Sequence, residues 1–105
     1  WLVVTQLHQL DLGGTYGLGD SLEALARSQS ANTLRYLNVQ GSDADDRGVI
    51  AILQSCQHLL FLNCGDCGNV GGKEVLREAT DHRRLIDVSF KNCRWVSRSD
   101  LARLR

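Results

Sequence analysis

The pattern L-x-x-L-x-L occurs four times in this 105-residue chain at nearly constant spacing, and no other feature restricts its folding as much. It reads Leu7-Leu10-Leu12, Leu34-Leu37-Val39, Leu59-Leu62-Cys64 and Leu85-Val88-Phe90. The first positions lie 34−7 = 27, 59−34 = 25 and 85−59 = 26 residues apart. Within each copy the second and third apolar positions are two residues apart. In an extended strand they share one face, and the residue between them turns to the other. Eight residues beyond each first leucine stands a small residue: Thr15, Ser42, Cys67 and Cys93. Apolar residues at helical spacing follow, namely Leu22 with Leu25, Val49 with Ile52 and Leu53, Val75 and Leu76 with Ala79, and Leu101 with Leu104. Each unit therefore reads strand, turn, helix. The glycines Gly13-Gly14, Gly65, Gly68 and Gly71-Gly72 suit the bends between strand and helix.

Units of this kind bury their apolar faces only by stacking. The expected fold is an α/β solenoid of about four repeats of about 26 residues, starting near residues 7, 34, 59 and 85. A parallel sheet would line its concave face and helices its convex one. The length suits a single domain over residues 1–105. With 43% hydrophobic and 23% charged residues, the composition is that of a chain that folds. No apolar run approaches the ~18 residues of a membrane span, so none is expected. The opening Trp1-Leu2-Val3-Val4 lacks the basic flank of a signal peptide. Solenoids normally close their ends with polar caps, and the pattern here runs from end to end. The sequence reading is accordingly a fragment or a short array without caps, with Trp1 and Trp95 suited to contacts at open ends.

Cys56 stands three residues before Leu59 and Cys67 eight after it, and Asn69-Val70-Gly71-Gly72-Lys73-Glu74-Val75 leads into the next helix. This stretch resembles the cysteine-containing leucine-rich repeat, with its C-x-x-L-x-x-L-x-L-x-x-C core. Val96 to Leu101 repeats the helix lead, whereas Val4, Ala31, Thr15 and Ser42 replace the cysteines of the first two units. The resemblance implies a module that holds proteins. Two groups share the repeat type. Long arrays are similar to the substrate-recognition repeats of F-box ubiquitin ligase receptors. Short ones are similar to mitochondrial accessory and assembly subunits of the coupling factor B type. The short array with open ends favours a scaffold or assembly subunit of a larger complex. Four cysteines in a chain that opens without a signal-peptide pattern fit a reducing intracellular setting, and the resemblance implies either the mitochondrial matrix side or the cytosol and nucleus.

Chemistry at particular residues is weighed against that scaffold. Cys64-Gly65-Asp66-Cys67, with Cys56 and Cys93, has the residue types of a thiolate zinc site. In a stacked repeat, however, Cys67 and Cys93 occupy one column roughly 5 Å apart, and such a ladder does not surround an ion. Gly68 to Glu74 lacks the first glycine and the final Ser or Thr of a phosphate-binding loop. His8, His58 and His82 stand apart from any nucleophile, and His82, in the column of Cys56, reads as a hydrogen-bonded structural residue. Neither enzyme activity nor a cofactor or metal is expected. Residues 1–52 carry three bases against six acids and the remainder nine against six, −3 followed by +3. That lacks the dense basic field of a nucleic-acid binder.

The outward strand positions carry the functional expectation. Read across the units they give the rows Gln9, Tyr36, Phe61, Asp87, then Asp11, Asn38, Asn63, Ser89, and then Gly13, Gln40, Gly65, Lys91. Tyr36 and Phe61 would stand exposed on adjacent strands above amides able to bond a protein partner. The expected partner-binding residues are Gln9, Asp11, Tyr36, Asn38, Gln40, Phe61, Asn63, Asp87, Ser89 and Lys91.

Overall fold

A computed structural model describes residues 7–93. Four three-residue strands, β1 (Gln9–Asp11), β2 (Tyr36–Asn38), β3 (Phe61–Asn63) and β4 (Asp87–Ser89), form one parallel sheet in the order β1-β2-β3-β4. Leu10, Leu37, Leu62 and Val88 are Cα partners across it. The backbone ladder runs past each strand: Val39 N donates to Asn63 O and Cys64 N to Ser89 O, at 2.9 and 2.8 Å.

Three helices join the strands: α1 (Ser21–Ala26), α2 (Asp46–Ser55) and α3 (Lys73–Asp81). Asp45 caps α2 by accepting from Gly48 N at 3.0 Å, satisfying a donor the first turn would leave free. α1 has no side-chain cap and ends after six residues. A 3-10 turn, Gln29–Asn32, carries the chain onward, with Ser28 as its cap. Leu101 and Leu104, expected at helical spacing, the lead at Val96, and both tryptophans lie outside the described residues.

The core lies between sheet and helices. Leu34, Leu37, Val39, Leu59, Leu62 and Cys64 from the strand units pack in one cluster with Val49, Ile52, Leu53 and Val75 from the helices, all nearly inaccessible to water. Leu7, Leu10, Leu12, Leu85 and Val88 are only partly buried, because β1 and β4 each have a strand neighbour on one side within the described sheet.

Each strand leaves the sheet through a left-handed residue seven positions after its first leucine: Gly14 (φ 73°), Gly41 (φ 68°), Asp66 (φ 57°) and Asn92 (φ 60°). Glycine, Asp and Asn tolerate this region best. The left-handed bend of the third unit is therefore made by Asp66, not by Gly65 or Gly68.

Candidate functional site

The outward side of the sheet is built by the strand register. Gln9, Tyr36, Phe61 and Asp87 are successive Cα partners, and so are Asp11, Asn38, Asn63 and Ser89. Gln40 and Lys91 follow two residues beyond their strands, both exposed. Eight of the ten residues singled out by the sequence are thus aligned in two rows by the register, with Gln40 and Lys91 beyond the ends of β2 and β4.

The aromatic rings of Tyr36 and Phe61 meet with centroids 6.5 Å apart, tilted by 49°, a favourable arrangement for two quadrupoles. Phe61 is 39% exposed, whereas Tyr36 is half-buried instead of open as expected, because Phe61 leans on it. Beside the pair lies a shallow groove of about 220 Å³ lined by Tyr36, Phe61, Leu62, Asn63, Asp87 and Ser89.

Sequence reasoning missed two aliphatic residues, Leu60 and Ile86, each directly before a strand. The carbonyl just before each of β1, β2 and β3 accepts two consecutive N–H groups: His8 O from Arg35 and Tyr36, Arg35 O from Leu60 and Phe61, and Leu60 O from Ile86 and Asp87. Ile86 is 70% exposed and Leu60 half-buried. Their signal was present in the sequence, since both are aliphatic at an offset that no inward column uses.

The polar row differs from expectation. The Asp11, Asn38 and Asn63 side chains each accept from the backbone N–H two residues on, at 2.9 Å in all three cases. Their amides then link sideways: Asn38 Nδ2 donates to Asp11 Oδ1 (3.1 Å) and Asn63 Nδ2 to Gln40 Oε1 (3.1 Å). Gln40 Nε2 and Asn92 Nδ2 both donate to the Asp66 carboxylate, at 3.3 and 2.9 Å. Those bonds, Asn92 first and Gln40 next, hold the Asp66 carboxyl below the usual carboxylate range. The Asn38, Gln40 and Asn63 amides expected to greet a partner are already bonded to one another, to neighbouring carboxylates or to the turns, whereas the Gln9 amide makes no hydrogen bond among the described residues. The Asp87 carboxylate, by contrast, makes no hydrogen bond or ion pair among the described residues.

The cysteines face the other way. Cys67 Sγ donates to Val39 O at 3.1 Å and Cys93 Sγ to Cys64 O at 3.0 Å. All four thiols are free and buried. Burial pushes the Cys56 and Cys93 thiols up to about 11 and Cys64 well above its ordinary value. Such thiols are poor nucleophiles and poor metal ligands. Among the described residues no three His, Cys, Asp or Glu side chains are grouped to hold a metal ion. His82 Nδ1 accepts from Leu85 N (3.1 Å) and Arg84 N (3.3 Å), so its Nε2 carries the proton and donates to Cys56 O at 2.8 Å. Among the described residues no helix is long and apolar enough to cross a membrane.

No protein-family model matches the sequence, and no curated protein matches it. Among solved structures, the chain is similar to the tropomodulin C-terminal domain of Caenorhabditis elegans, with a TM-score of 0.52 over 95% of this chain and 81% of that one, at 10% identity. At that identity the likeness speaks for the fold alone, which is leucine-rich-repeat-like.

Proposed function

We propose that this chain is a protein-docking module of about four leucine-rich repeats of the cysteine-containing type, whose partner sits on the outward face of the sheet. The observation that carries the reading is the Tyr36–Phe61 ring pair, aromatic and at least partly accessible on a sheet whose other outward strand residues are polar. The repeat subtype draws support from the thiol bonds of Cys67 and Cys93, which join equivalent places in successive units. We read the module as a scaffold or assembly subunit and not as an enzyme. The raised thiols of Cys56, Cys64 and Cys93 support this, because the most reactive side-chain type in the chain is kept protonated and packed.

A photo-crosslinking amino acid in place of Phe61 tests the reading, with Thr80, exposed on α3, as the control position. Crosslinks to one discrete protein from position 61 and none from position 80 are expected. Crosslinks only from position 80 would move the working surface to the helices. The pair Tyr36→Ala with Phe61→Ala should lower capture and leave the fold standing, since both side chains lie outside the buried core.

A further inference from the structure

We infer that the groove beside Tyr36, Phe61 and Asp87 receives a single arginine side chain from the docked protein. The inference rests on the docking reading above and names what the face recognises.

Three features of the groove point to a guanidinium. Two aromatic rings stand together at its side, 6.5 Å apart, and a ring face attracts a cation through its quadrupole. Asp87 is the Cα partner of Phe61, so its carboxylate stands next to the Phe61 ring. That carboxylate has no partner among the described residues, although Lys91 and Arg84 lie within four positions of it in sequence. The Ser89 and Asn63 oxygens line the same groove and have lone pairs beyond the N–H groups they already accept.

Other occupants fit less well. An apolar anchor would cover the rings but would also strip water from the Asp87 carboxylate without replacing its hydrogen bonds. An acidic side chain would be repelled. Lysine could reach the carboxylate as a point charge, whereas a planar guanidinium stacks on a ring and offers a fork of N–H groups to a carboxylate at once. One side chain can then use every wall of the groove.

The test is an NMR titration of the full chain with N-acetyl-arginine amide and with N-acetyl-citrulline amide, which has nearly the same shape and no charge. The arginine probe should shift the Phe61, Asp87 and Ser89 signals, and the citrulline probe should bind about tenfold or more weakly. Added salt should weaken the arginine response. Asp87→Asn, exposed and without a structural contact, should abolish the preference while leaving the rest of the spectrum in place. Equal binding of the two probes, or no response at these residues, overturns the inference. Crosslinking from position 61 that persists when the probes do not discriminate leaves the docking reading standing and removes the arginine. Probe discrimination without any crosslinked partner does the opposite.

Discussion

Cys67 donates its thiol proton to the carbonyl of Val39, 3.1 Å away and one strand back, and Cys93 repeats the bond to Cys64 one unit later at 3.0 Å. The turn after each of β3 and β4 is thereby fastened to the strand before it. Ser42 fills the equivalent place earlier in the chain, where its hydroxyl instead accepts from Ala44 N at 3.1 Å.

Cys67→Ala should lower unfolding free energy by about 1–3 kcal/mol, since it strips the Val39 carbonyl of this donor and leaves a small void. Cys67→Ser should restore part of that loss, because a hydroxyl can donate to the same carbonyl. Urea denaturation of both variants checks the order, and a serine variant no better than alanine would show that the bond contributes nothing.

Alkaline pH should destabilise the chain between roughly 9 and 11. In the unfolded chain Cys56 and Cys93 ionise near their ordinary value of 9.0, and in the fold burial holds them at about 11. The folded state therefore keeps more protons across this window, and stability falls as pH rises, by on the order of 2 kcal/mol per thiol. Cys56→Ala should flatten the decline. Thiol titration under native conditions at neutral pH should show the described cysteines reacting far more slowly than in urea.

In acid the slope comes from carboxylates. Asp43 accepts from Gly17 N at 2.7 Å and Leu18 N at 3.1 Å, and these bonds, Gly17 first, hold its carboxyl below the ordinary value of 3.8. Its contribution is complete above that value and disappears as pH falls through the lower folded one. Asp66, lowered by Asn92 and Gln40, behaves likewise. Asp43→Asn and Asp66→Asn should each lower stability near neutrality and make the acid decline shallower, measured as melting temperature against pH.

Gly72→Ala should destabilise by about 1–3 kcal/mol. A Cβ there would stand 2.6 Å from Asp46 Oδ2, whose carboxylate accepts from Gly71 N (2.8 Å) and Gly72 N (3.0 Å) and so ties the lead of α3 to the start of α2. In the background of Asp46→Ala the same substitution should cost less, because the clashing oxygen is gone. A double-mutant cycle with no coupling would contradict this contact.

Leu62→Ala should cost about 2–5 kcal/mol, and Leu10→Ala visibly less. Both occupy the middle of a strand, but Leu62 is buried between two strand neighbours and Leu10 is half-buried at the edge of the described sheet. Equal losses in thermal unfolding would argue against the register.

The spacing of the apolar pattern determined the strand order and the rows. Gln9, Tyr36, Phe61 and Asp87 align because leucines recur after 27, 25 and 26 residues and period-two alternation turns the residues between them outward. Inward columns such as Leu37, Leu62 and Cys64 were legible for the same reason. Tertiary structure alone decided who bonds to whom. Asn63 reaches Gln40 and Asp46 reaches Gly71 and Gly72 across more than twenty residues of chain, and the Leu60 carbonyl accepts from both Ile86 and Asp87. A periodic pattern records which face a side chain occupies, because burial has the period of the backbone. Hydrogen-bond partners depend on the distance to a neighbouring turn, which exists only once the strands stand side by side. That is why the Asn38, Gln40 and Asn63 amides offered to a partner by the sequence are bonded within the fold, while Asp87 is left with its carboxylate free among the described residues.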